Sequence, residues 1–251
     1  MEESVQPVRL LPETLKAFLD YAQRAEDSMA QTLQSDMFLW SQADPKRSRR
    51  LGRGDVIAEL WNGAAPLRVQ AGLIHDWIGA VSIPDATLAD TLARIQDYDH
   101  HKDFYRPEVV DSRLLSRHGN DFRIYLRILK KKVLTVVLDT DHDVSYQQVS
   151  ASRWACASHT TRTAEVDDPG TSRERIHPPD TGYGFLWRLN SYWRFEESPA
   201  GVIAECRAIS LTRDIPAALK WIIQPIVRSL PRDTLIHTLK CTRDAVKASQ
   251  K

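Results

Sequence analysis

The stretch Phe185-Leu-Trp-Arg-Leu-Asn-Ser-Tyr-Trp-Arg-Phe195 has the alternation of a β-strand at every step. Phe185, Trp187, Leu189, Ser191, Trp193 and Phe195 share one face, while Leu186, Arg188, Asn190, Tyr192 and Arg194 share the other. Ser198-Pro199-Ala200-Gly201 is a turn signal, and residues 202–211 supply the returning strand of a hairpin. The period then changes. Asp214 can cap a helix with Pro216 in its first turn, and Leu219, Ile222, Ile223, Ile226, Leu230, Leu235, Leu239, Thr242 and Val246 recur at helical spacing. Pro225 and Pro231 each remove an intrahelical donor, which predicts a kink or a helix in two pieces.

Further strands lie upstream. Residues 109–117 end at His118-Gly119-Asn120, which turns into 122–129. Lys130, Lys131 and Lys132 mark the next turn, followed by a strand over 133–138 that extends towards 146, and another over 149–166. Residues 167–184 form a polar loop rich in Pro and Gly, expected to project into solvent. Before these come strands at 55–61 and 73–83 and one helix, capped by Thr87 or Asp85 and burying Leu88, Leu92 and Ile95. Consecutive strands joined by short turns must pair antiparallel, because parallel pairs need long crossovers. A sheet of that length must also curl, and its concave apolar face needs a cover. The C-terminal helix is the long element available for this.

The predicted fold class is therefore α+β, a long curved antiparallel sheet wrapped around a C-terminal helix. At the N-terminus, Leu11, Leu15, Phe18, Leu19, Ala22, Ala25, Met29 and Leu33 mark one face of an extra helix, expected to pack on the outside of the sheet domain. Residues 41–54, with Asp44-Pro45 and a basic cluster including Lys46, Arg47, Arg49 and Arg50, read as loop or linker. The chain thus divides into a helical extension and linker over 1–53 and the sheet-and-helix domain over 54–251.

Several local sequences carry a resemblance. They are the opening strand over 77–83, Pro84-Asp85-Ala86-Thr87 entering the helix, Asp97-Tyr98 at its end, Phe104-Tyr105-Arg106-Pro107-Glu108-Val109 opening the next strand, and Arg213-Asp214-Ile215-Pro216 leading into the last helix. With these, residues 72–246 resemble the START-like polyketide-cyclase (SRPBCC) superfamily, in a bacterial-type form, whose architecture is the helix-grip or birch-pollen-allergen fold. The resemblance implies a cavity for an apolar ligand between the sheet and the C-terminal helix.

On that implication the ligand-binding candidates are Phe122, Leu126, Trp154, Trp187, Leu189 and Trp193 of the strands, with Ile223 and Leu235 of the helix. Trp and Tyr faces suit a flat or sterol-like skeleton, and plain core is the competing reading of the same face. The expected function is binding or carriage of a lipid-like or aromatic small molecule. One alternative is a cyclase/aromatase- or hydrolase-like enzyme using His159 or Tyr125 in the same cavity. Another is a filled-core interaction module that uses the N-terminal helix as its partner surface. Arg123 and Arg127 sit opposite the apolar face of their strand. They face solvent, or one enters the cavity and pairs with an acid such as Glu205.

No GxSxG, GxGxxG, P-loop or HExxH motif is present. Asp139, Asp141 and Asp143 share one strand face with His142 on the other, and Asp97-Tyr-Asp-His-His-Lys102 is a second cluster. Neither spacing is that of a metal motif, so no metal or cofactor is expected. Cys156, Cys206 and Cys241 lack zinc spacing. With 34 basic and 33 acidic residues the net charge is +1, which offers no global attraction for nucleic acid. No apolar run approaches the roughly 18–20 residues of a membrane helix, so stable membrane insertion is not expected. A chain starting at Met1-Glu2-Glu3 reads as cytoplasmic, and as exported if a leader has been removed.

Overall fold

Strict alternation through the middle of the chain produces one antiparallel sheet, and the two helical stripes at its ends cover opposite faces of it. The computed structural model describes residues 7–63, 65–131, 135–214 and 220–250, with the side chains of residues 62 and 220–229 outside that description. The order begins β1 (Val8–Arg9), α1 (Pro12–Thr32), α2 (Pro45–Gly52), β2 (Ile57–Leu60), β3 (Leu67–Val69) and β4 (Gly72–Pro84). Then come α3 (Leu88–Ile95), α4 (His101–Phe104), β5 (Val109–His118), β6 (Asp121–Lys131), β7 (Thr135–Ser150) and β8 (Arg153–Asp167). The chain finishes with β9 (Arg175–Ile176), β10 (Thr181–Gly182), β11 (Arg188–Ser198), β12 (Gly201–Arg213) and α5 (Lys220–Ala248).

The strands lie side by side in the order β2-β4-β12-β11-β8-β7-β6-β5, with β3 continuing beside β4 and β9 beside β8, and every pairing is antiparallel. Register shifts in the β5–β6 and β7–β8 pairings bend the ribbon. The result is a helix-grip architecture, a long curved sheet with α5 on its inner face.

Trp77, Val81 and Ile83 of β4, Phe122 and Ile124 of β6, and Phe195 of β11 join Leu235, Leu239 and Val246 of α5 in the main core. Gly79 lets the helix sit down on β4. A Cβ there would lie 2.8 Å from the Leu239 Cδ1 and 3.2 Å from the Leu235 Cδ2. Among the described residues no helix is long and apolar enough to cross a membrane.

On the outer face, α1 buries Phe18, Ala22 and Ala25. Phe18 and Ala25 pack with Leu10 against Ile74, Trp187, Tyr192, Ile209 and Leu211. The expected stripe is shifted slightly, since Leu19 is 52% exposed.

Three expectations are corrected. The stretch expected as linker over 41–54 contains a 3-10 turn at Trp40–Ala43 followed by α2. Asp44 caps α2 by accepting from the Lys46 amide, and Pro45 opens it, so Asp-Pro starts a helix here. Of the kink or two pieces expected for the last helix, the two pieces do not form, since α5 is continuous through Pro225 and Pro231. Each proline forfeits one backbone bond, while the turns after Pro231 are held by Leu235 and Leu239 in the core. The 167–184 loop is exposed over 168–176, but its end folds back where projection was expected throughout: β10 pairs with β1, and Glu165 accepts the Tyr183, Gly184 and Phe185 amides at 2.6, 2.9 and 3.1 Å.

Candidate ligand-binding site

Cross-strand register arranges the inner face in rows, three of which frame the candidate site. The middle row runs Phe122, Val144, Ser158, Ser191, Ala208, Trp77 across β6, β7, β8, β11, β12 and β4. Beside it lies an aromatic and thiol row, Tyr146, Cys156, Trp193, Cys206, Gly79. On the other side is a polar row, with His142 opposite Thr160 and Leu189 opposite Ser210 and His75. The Thr160 hydroxyl joins its two halves by bonding to the Leu189 backbone.

The three small residues at the centre of the middle row, Ser158, Ser191 and Ala208, are each only half-buried although they face inward on interior strands. Over residues 188–193 of β11 the expected burial is inverted, while inward Phe195 is fully buried. Outward-facing Arg188, Asn190 and Tyr192 are buried at 8%, 4% and 7% exposure, while inward-facing Leu189, Ser191 and Trp193 remain half-buried. At β11 the outer face is the sealed one, because α1 and the segment after it lie on it. The Tyr192 hydroxyl donates to Glu26 at 2.6 Å, and Arg194 donates to the Phe38 and Met29 carbonyls at 2.5 and 2.7 Å. Glu205 accepts the Trp40 and Ser41 amides at 2.8 and 2.7 Å.

The inner face therefore stays accessible over a floor of small side chains on β8, β11 and β12, and this open stretch is the hollow referred to below. Trp193 stacks on Phe195 with ring centres 5.7 Å apart and planes 4° from parallel. Tyr98 and Tyr146 share a buried hydroxyl pair at 2.8 Å, and burial raises both phenols well above their usual range. At the polar end, His142 Nε2 meets the Thr140 hydroxyl at 3.0 Å and His75 Nε2 meets Thr212 at 3.2 Å. Burial lowers both imidazoles to about 4, so both are neutral at pH 7. His75 Nδ1 has no partner among the described residues. Burial pushes the Cys156 thiol up to about 12 and raises Cys206 as well, which keeps both protonated and poor nucleophiles.

The structure distributes the sequence-derived candidates unequally. Phe122, Leu126, Trp154, Trp193 and Leu235 belong to the inner cluster, and Leu189 borders the polar row. The side chain of Ile223 lies outside the description. Trp187 does not share the inner face. It precedes the β11 ladder and packs under α1, in the outer cluster with Ile74 and Leu211. His159 and Tyr125 also point outward, away from the hollow. His159 bonds Glu26 of α1 at 2.9 Å, and Tyr125 donates to Asp139 at 2.7 Å. An enzyme using these two residues inside the cavity has no geometric basis, because each alternates with the inward residues of its own strand. Arg127 pairs with Asp139 and Glu174, and not with Glu205.

Asp139, Asp141 and Asp143 do share the outer face, and each faces an arginine: Arg127, Arg162 and Arg123. Among the described residues no group of three or more His, Cys, Asp or Glu side chains converges as metal ligands. Sequence reasoning missed Ser158, Ser191, Ala208 and His75, whose only signal is small or polar character at strand positions of inward parity.

Clefts lie beside α5 among the described residues. The larger, of about 610 Å³, opens at the β2 edge between Trp40, Glu59, Trp61, Trp77 and Arg232. A smaller one of about 130 Å³ lies beside Lys130, Leu230 and Asp233.

Comparison with protein-family models finds no match, and comparison with the curated proteins finds none either. Among solved structures the chain is similar to a fragment of a STAR-related lipid transfer protein from Xanthomonas axonopodis, with 18% identity, a TM-score of 0.46, and coverage of 72% of this chain and 96% of that one. It is also similar to the Zhui aromatase/cyclase of a Streptomyces species, with 9% identity, a TM-score of 0.49, and coverage of 71% and 96%. Human STARD10 gives 11% identity, a TM-score of 0.44, and coverage of 81% and 79%.

Proposed function

We propose that this chain binds or carries an apolar small molecule, lipid-like or aromatic, on the inner face of its sheet beside α5. The inverted burial of β11 supports this reading. In a filled core the inward Trp193 and Ser191 would be sealed and the outward Arg188, Asn190 and Tyr192 solvated, whereas the outward three are buried and the inward two only half-buried. A floor of Ser158, Ser191 and Ala208 between Trp193 and Trp77 suits a flat or chain-like apolar body held by contact area. The polar row offers the Nδ1 of the neutral His75 imidazole, unpartnered among the described residues, to orient one end of it. With a net charge of +1, nothing global favours nucleic acid as the partner.

Native mass spectrometry of the freshly purified chain tests the proposal. A co-purifying or exchangeable apolar ligand is expected from a panel of fatty acids, phospholipids, sterols and polycyclic aromatics. If no member of that panel binds, the hollow is not a ligand site and the proposal is lost.

A further inference from the structure

We infer that the ligand of the hollow is an amphiphilic anion, and that Arg232 on α5 receives its acidic head in the cleft at the β2 edge. This rests on the reading of the hollow as a binding site. At about 610 Å³ the cleft falls in the size range of small-molecule sites.

Trp77 borders both spaces, since it ends the small-residue row at β4 and also lines the cleft. Two strand spacings, about 10 Å, separate it from Ser191, a span shorter than an extended fatty-acyl chain.

Charge in the cleft is unbalanced. Arg47 lies over Trp40 at 3.9 Å and donates to Glu59 at 2.9 Å, so those two charges offset each other. Arg207 lies over Trp61 at 3.9 Å but is neutralised by Asp76. Arg232 is exposed, and among the described residues no carboxylate pairs with it. A free guanidinium beside tryptophan walls complements a carboxylate or phosphate joined to an apolar body, since it can donate two parallel hydrogen bonds to either. A neutral lipid would leave that complementarity unused.

Binding of oleate, oleyl phosphate and oleyl alcohol, with pyrene butyrate and pyrene butanol as an aromatic pair, is to be measured by tryptophan fluorescence on the full chain and on Arg232→Gln. Arg232 is exposed, so the substitution leaves the core intact. An acid should bind at least tenfold more tightly than its alcohol, and Arg232→Gln should abolish that preference while leaving alcohol affinity within twofold. Equal affinity of acid and alcohol, or a preference that survives Arg232→Gln, overturns the inference and leaves the hollow reading standing. Failure of all five probes removes the hollow reading, and this inference falls with it.

Discussion

Arg207 and Asp76 form a two-point ion pair on the outer face of the sheet, Nη2 to Oδ2 at 2.6 Å and Nε to Oδ1 at 3.0 Å. Both side chains are less than a tenth exposed, and Tyr21 of α1 donates to the same carboxylate at 2.8 Å. Burial, and after it Asp76, pushes the Tyr21 phenol up to about 12. The N-terminal helix is thus tied to β4 and β12 by a dry polar contact as well as by Phe18.

Removing one partner of this pair strands the other. Asp76→Ala leaves the Arg207 guanidinium buried and uncompensated, and is expected to lower unfolding free energy by about 3–5 kcal/mol in urea titrations. The double variant Asp76→Leu with Arg207→Met should recover most of that loss, because apolar side chains of similar volume need no compensating charge. A single-variant cost below about 1 kcal/mol would mean that α1 does not seal the pair.

Ser191→Phe distinguishes a hollow from a filled core. Ser191 is half-buried on the inner face between Ser158 and Ala208. If the space above it is open, the ring enters it, stability holds or rises, and apolar ligand binding falls at least tenfold. In a filled core the same change would overpack and cost about 1–3 kcal/mol. Thermal unfolding and a ligand titration on the same sample separate the two results.

Acid should weaken the fold through its buried histidines. His142 has a folded pKa lowered by burial from 6.5 to about 4. Between those values the unfolded chain binds a proton that the native chain does not, so the stability contribution is complete above pH 6.5 and is lost as pH falls towards 4. From pH 7 to pH 5 this one group accounts for about 2 kcal/mol. His142→Gln, which can still reach the Thr140 hydroxyl, should flatten the pH dependence by that amount in urea titrations. Identical pH slopes for the two proteins would show that His142 is not buried neutral.

Much of the fold was legible in the chain. Alternation over 185–195 and 202–211 placed a hairpin where β11 and β12 lie, and the stripe ending in Leu235, Leu239 and Val246 placed a helix on the sheet's inner side. The outward position of His159 was legible too, since Trp154 and His159 are five residues apart on one strand and an odd separation puts them on opposite faces. The helix α2 was hidden by its basic composition, although Asp44-Pro45 is an N-cap followed by a first-turn proline. Trp187 was misplaced because parity holds only inside a ladder, and the ladder begins at Arg188.

By itself the sequence determined the elements, their antiparallel pairing and which side chains share a face, because backbone geometry imposes a period of 2 or of 3.6 locally. Only the tertiary structure decided which face is closed. Glu26 of α1 meets Tyr192 of β11 across 166 positions, and Trp40 meets Glu205 across 165. Contacts that distant leave no periodic trace in the chain. They bury the polar side of β11 and leave the tryptophan side accessible, and that inversion is the physical basis for reading the sheet as the wall of a binding site.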